Sequence, residues 1–130
     1  MAGADLLRGL YEAFGRGDME TVLGAMDTSI SWRQAEGNPY GMDGRAWVGP
    51  NAIVENLFVK LGTEWDGFVV TPARFLDAGG QVIVEGRYTG TYKATGKNID
   101  AQFCHIWDVK DEKLTAFQQY TDTAQFQGAM

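Results

Sequence analysis

The sequence predicts an α+β domain, with helices first and a run of strands after them. Three observations point there. Apolar side chains recur at helical spacing in three segments before Gly62. From Asp66 onward the period is two. The strand candidates are separated by turn signals short enough for hairpins. Each helix is amphipathic and must bury its stripe. The only large surface available is the sheet, so the helices pack on one face of a curved sheet.

In the first helix, over residues 5–16, Leu7, Leu10, Tyr11 and Phe14 share one face, and Gly15 and Gly17 end it. Asp18 caps a short second helix, DMETVLGAM, with Val22, Leu23 and Met26 inward. SISWRQ alternates Ile30, Trp32 and Gln34 on one side, as a half-buried strand does. AEGNPYGMDGRAWV, residues 35–48, is rich in Gly, Pro, Asn and Asp and reads as an irregular loop. Gly49-Pro50 opens a third helix with Pro at the first helical position. Ala52, Ile53, Leu57, Phe58 and Leu61 follow, and Gly62 stops it. Four strands come next: DGFVVTPARFL, QVIVEGRYTGTYKA, NIDAQFCHIWDV and KLTAFQQYTD, joined by AGGQ, ATGK and KDEK.

Within QVIVEGRYTGTY the apolar face holds Val82, Val84, Tyr88 and Tyr92, with Gly86 and Gly90 marking a bend or bulge. In the next strand it holds Ile99, Ala101, Phe103, His105 and Trp107. His105 is the single histidine, and the single cysteine, Cys104, points the opposite way. A Cys–His nucleophilic pair is thereby excluded. If Asp111 to Lys113 form a three-residue loop, His105 lies opposite Gln119 and Trp107 opposite Phe117. A two-residue turn would place Gln118 there instead. The first register is preferred because it pairs aromatic with aromatic.

The 130 residues suit one domain, 1–130, long enough for a core without disulfides or metal. A net charge of −6 argues against nucleic acid or an anionic membrane as partner. One cysteine cannot form an internal disulfide, so a reducing, cytoplasmic setting is expected. MAGADLLRGLYEAF lacks a basic n-region and a long apolar run, so no signal peptide is expected. No metal site is expected from one His and one Cys on opposite faces. "GMDGRAWVG" has neither phosphate-loop nor dinucleotide spacing, and no G-x-S-x-G elbow occurs.

"LYEAFGRGDMETVLGAM", "GPNAIVENLF" and "FCHIWDVKDEKLTAFQQYTDTAQF", in this order, resemble the SnoaL-like polyketide cyclase and ketosteroid isomerase-related group of the nuclear transport factor 2-like superfamily. The resemblance spans nearly the whole chain. It implies a cystatin-like cone, in which three N-terminal helices pack in the concave face of a strongly curved antiparallel sheet. It also implies a deep apolar pocket for a hydrophobic small molecule, no cofactor, and a homodimer through the outer sheet face. Ketosteroid isomerases place a general-base Asp at the end of the first strand, where this chain has Trp32-Arg33-Gln34. Their late-strand acid aligns with His105, and Tyr11 lies one residue from their helical tyrosine. SnoaL-type cyclases use a histidine and an aspartate on the last strands. His105 matches the first; the second falls at Gln119 by spacing or at Asp122 by the "YTDT" pattern.

The candidate catalytic residues are therefore His105, Asp122, Gln119 and Tyr11. An imidazole titrating near ~6.5 can serve as general base or hydrogen-bond donor. The alternative is a core histidine satisfied by Gln119 or a backbone carbonyl. Asp122 is either an acid–base carboxylate or the N-cap of a C-terminal helical turn. Candidate pocket residues are Trp32, Gln34, Tyr40, Trp47, Phe58, Val84, Tyr88, Phe103, Trp107 and Phe117. Tyr40 and Trp47, in the long loop, are expected to be exposed and either to gate the pocket or to meet a partner. Beside a protein-interaction module using the sheet's outer face, two functions follow. One is cofactor-independent proton-transfer chemistry (isomerisation, cyclisation or dehydration) on a steroid-, polyketide- or terpenoid-like substrate. The other is non-catalytic binding in the same pocket.

Overall fold

A computed structural model describes residues 3–130. The expectation about the amino terminus begins at Met1, and residues 1–2 lie outside the described residues. Two helices come first, α1 (Gly3–Gly15) and α2 (Met19–Gly24). Asp18 caps α2 through Oδ1, which accepts from the Thr21 N–H at 3.2 Å. Strand β1 (Met26–Arg33) follows, and Met26 opens it rather than closing α2. A third, continuous helical run comprises α3 (Pro50–Ile53), a π-helical turn (Val54–Phe58) and α4 (Val59–Glu64). It runs past Gly62, because a lone glycine costs a helix only about 1 kcal/mol. The Asn56 Nδ2 donates to the Ala52 carbonyl at 2.7 Å within the π turn.

The remaining strands are β3 (Trp65–Ala78), β4 (Gln81–Tyr92), β5 (Asn98–Lys110) and β6 (Lys113–Thr121), and α5 (Thr123–Ala129) closes the fold. The loop expected over 35–48 also contains a short strand, β2 (Ala46–Val48). The six strands form one sheet in the order β2-β1-β6-β5-β4-β3. All neighbours are antiparallel except β1 and β6, which run parallel. Periodicity cannot show that pairing, because the partners lie far apart in sequence.

The last hairpin reaches the preferred register by another route. Lys110 pairs with Lys113, so the turn has two residues, Asp111 and Glu112, both with positive φ. A bulge then shifts the ladder between Asp108 and Val109, which restores His105 opposite Gln119 and Trp107 opposite Phe117. Glycine is required at 86. A Cβ there would collide with the Thr71 carbonyl oxygen and lie 2.6 Å from the Phe103 ring. The register of β3 on β4 shifts just beyond this point, between Pro72 and Arg74.

Alternation places Val82, Val84, Tyr88, Phe103, His105 and Trp107 on the covered face, all buried. The helices bury Leu7, Leu10, Ala13, Ile53 and Leu57 in the same core. The outer face is mixed. Arg74–Glu85 ties β3 to β4 and Arg87–Asp100 ties β4 to β5, both as exposed pairs. Among the described residues no helix is long and apolar enough to cross a membrane.

Candidate functional site

A cavity lies between the helices and the covered face of the sheet. Most of its wall is hydrocarbon. Leu7, Leu10 and Phe14 come from α1, Leu57, Phe58 and Leu61 from the third helical run, and Trp32 and Phe117 from β1 and β6. The Trp32 and Phe117 rings stack with centroids 3.8 Å apart, which welds the parallel strand pair at the wall. Among the described residues no Asp, Glu, Lys or Arg lines the cavity.

Several polar groups of the wall gather around His105, and both ring nitrogens are occupied. Tyr11 Oη lies 2.6 Å from Nδ1, and Tyr88 Oη is hydrogen-bonded to Nε2. Each tyrosine oxygen also accepts from an outer donor. Trp107 Nε1–H reaches Tyr11 at 2.9 Å, and Gln119 Nε2–H reaches Tyr88 at 2.9 Å. Gln119 cannot be turned round, because its Oε1 accepts from the Ala35 N–H at 3.2 Å and from Asn38 Nδ2 at 2.9 Å. The Phe103 ring stacks on the imidazole at 4.0 Å and Phe117 meets it edge-on at 4.8 Å.

Burial sets the protonation states. It pushes the His105 pKa down to about 3, because the charged imidazolium would lose its water. Burial also raises Tyr88 and Tyr11 above the ordinary phenol value, against the donors Gln119 and Trp107 that stabilise a phenolate. At neutral pH all three groups are therefore uncharged.

Of the residues expected to act chemically, Tyr11, His105 and Gln119 come together at the cavity. Asp122 does not. It is the N-cap residue of α5, half-buried and off the cavity wall, and its Oδ2 accepts from Gln125 Nε2 at 3.0 Å. His105 does not face a ligand alone, since two hydroxyls stand on its nitrogens. Of the expected pocket residues, Trp32, Gln34, Tyr40, Phe58, Tyr88, Trp107 and Phe117 line the cavity. Val84, Phe103 and Trp47 are buried but do not. The cavity occupies only part of the covered face, and elsewhere side chains fill it.

The expected exposure of Tyr40 and Trp47 is also corrected. Both are 7% exposed. Trp47 lies in β2 opposite Trp32. Tyr40 Oη donates to Glu64 Oε1 at 2.7 Å and accepts from Trp65 Nε1 at 2.8 Å, which ties the loop down. Sequence reasoning placed Tyr88 in a pocket but missed its contact with His105, and it missed Asn38 altogether. The signal for Tyr88 was its place on the apolar face of β4.

The sequence matches the SnoaL-like domain over residues 7–117. The chain belongs to the SnoaL-like domain family. No curated protein matches it significantly. Among solved structures, this SnoaL-like domain is similar to a nuclear transport factor 2-like protein of Burkholderia thailandensis. That likeness has 33% identity and a TM-score of 0.93, and covers 100% of this chain and 98% of the other. It is also similar to TerC co-crystallized with polyporic acid, at 26% identity and a TM-score of 0.82, covering 96% and 95%. The candidate polyketide cyclase IdmH of Streptomyces antibioticus shares the fold, at 18% identity and a TM-score of 0.77, covering 96% and 95%.

Proposed function

We propose that this SnoaL-like domain binds a hydrophobic molecule carrying a carbonyl or enol oxygen and promotes a cofactor-independent proton transfer on it, of the isomerase or cyclase type. The observation that carries this is the contrast within one cavity. Most of the wall is hydrocarbon; Gln34 is paired with Trp32 and Tyr40 with Glu64, and the remaining polar groups form one cluster, where Tyr11, His105, Tyr88, Gln119 and Asn38 are linked by hydrogen bonds. An apolar body would be held by burial, at about 25 cal/mol per Å², and its oxygen would be placed by the tyrosine hydroxyls. TerC, 26% identical, was co-crystallized with polyporic acid, which supports a small-molecule ligand here. Membership of a family that resembles cyclases and isomerases supports the reaction type.

Non-catalytic binding in the same cavity has its own support. No group on the wall ionises near pH 7, since His105 is pushed down to about 3 and no carboxylate lines the cavity.

Calorimetry with 2-tetralone and its hydrocarbon analogue tetralin tests the binding half. The two have nearly the same shape and differ by one carbonyl. The ketone is expected to bind about 10- to 100-fold more tightly, the effect of one buried hydrogen bond. Equal affinities, or no binding of either, would remove the tyrosine cluster as an oxygen site.

A further inference from the structure

We infer that Tyr11, His105 and Tyr88 form a neutral proton relay that can give a proton to a bound carbonyl compound at one end and take one from it at the other. This rests on the proposed binding of an oxygenated hydrophobic molecule and adds the way a proton moves in a site without an ionising group.

The basis is a proton count. Two phenols and one neutral imidazole carry three polar protons, and two hydrogen bonds join them. One proton is therefore left over. The outer neighbours cannot absorb it, because Trp107 Nε1–H and the Gln119 amide NH₂ only donate. No other acceptor bonds either hydroxyl among the described residues. In the tautomer with N–H on Nε2, Tyr11 donates to Nδ1 and the Tyr88 proton is spare. In the tautomer with N–H on Nδ1, Tyr88 donates to Nε2 and the Tyr11 proton is spare. Both tyrosines line the cavity, and in either state one hydroxyl proton has no protein acceptor among the described residues.

The two states interconvert without creating charge, through a water molecule when the cavity holds no ligand and through the substrate when it does. Consider a ketone with acidic hydrogens beside its carbonyl. Tyr88 gives its spare proton to the carbonyl oxygen and takes the proton on Nε2. Nδ1 takes the Tyr11 hydroxyl proton. Tyr11 takes the proton from the breaking C–H bond, whose electron pair forms the C=C bond of an enol. Every atom stays neutral, and the relay ends in its other tautomer. The reverse sequence, with Tyr11 protonating a different carbon of the conjugated system, yields the isomer and restores the starting tautomer. The substrate class is thus an enolisable ketone, and an unsaturated one for net isomerisation.

The surroundings suit this. Phe103 and Phe117 hold the ring from two sides, so the proton changes nitrogen without the ring turning. Each end oxygen keeps one fixed N–H donor, which makes the two ends alike and stabilises charge developing on either.

His105 is the only histidine, so its ring nitrogens give one set of ¹⁵N resonances. In the ligand-free protein at pH 7, both nitrogens are expected at averaged positions between the N–H and lone-pair extremes, which marks exchange between tautomers. Tyr11→Phe and Tyr88→Phe should each resolve them into one fixed tautomer. A single fixed tautomer or a charged ring in the wild-type protein overturns the relay, whether or not the variants fold. Deuterium exchange of the α-hydrogens of 2-tetralone gives the second arm. The wild-type protein should accelerate it, and each single variant should lose about 100-fold or more of that acceleration while the ketone still quenches tryptophan fluorescence. The double variant should be no worse than either single one. Bound ketone without accelerated exchange overturns the relay and leaves binding standing. Averaged tautomers without ketone binding support the relay and sink the ligand class instead.

Discussion

At the scale of single residues, burial decides what His105 can do. An unfolded chain protonates a histidine below about 6.5, whereas the folded chain resists until about 3. Between those values the unfolded state holds more protons, so folding stability rises with pH across that window and falls as pH drops through it. Urea unfolding of the wild type between pH 6 and 4 should lose up to about 1.4 kcal/mol per pH unit more than His105→Gln, one proton's worth of linkage. Identical slopes would mean that the imidazole is not held neutral. The candidate site was half legible at this scale. Alternation put His105, Gln119 and Tyr88 on one face, because strand geometry fixes direction. It could not say that Tyr88 bridges to the imidazole, since that depends on how strands twist and how deep each ring sits. The pattern "YTDT" offers Asp122 as a carboxylate and the following "TAQFQ" offers it as a helix cap, and the start of α5 places it at the cap.

At the scale of elements, small backbone irregularities aim the side chains. The β5–β6 turn has two residues, and left alone it would have put Gln118 beside His105. The bulge between Asp108 and Val109 reverses that parity. Sequence reading reached the right pair from aromatic matching while missing the bulge, because packing selects the register whatever the turn supplies. Gly86 is a second irregularity with a direct test. The obstacle to a side chain there includes a backbone oxygen, Thr71, which no rotamer change can move. Gly86→Ala should cost about 3 kcal/mol, read as a lower denaturation midpoint at unchanged slope. Little change would show that β3 can shift freely against β4.

For the molecule as a whole, α5 acts as a stopper. Phe126 is 2% exposed, lines the cavity, and meets Trp65, Phe68 and Tyr88. Phe126→Ala should destabilise the fold by about 3–5 kcal/mol. Calorimetric unfolding measures that loss, and a change below 1 kcal/mol would mean that the cavity collapses to fill the gap. The layer arrangement was readable from the switch of period after Gly62. The parallel β1–β6 contact was not, since no local pattern records a partner so distant in the chain.

That contact also imposes a timetable. α1, α2 and β1 are made before β6, so β1 has no partner on its β6 side until the chain has been made as far as Thr121. The Trp32–Phe117 stack closes a far longer loop than the β3–β6 hairpins do, so loop-closure entropy favours the hairpins first. Until then the first strand is an exposed edge carrying a bare tryptophan, the kind of surface that chaperones hold and that aggregation exploits. The cavity wall built by β1 and β6 is thus among the last parts of the domain to close.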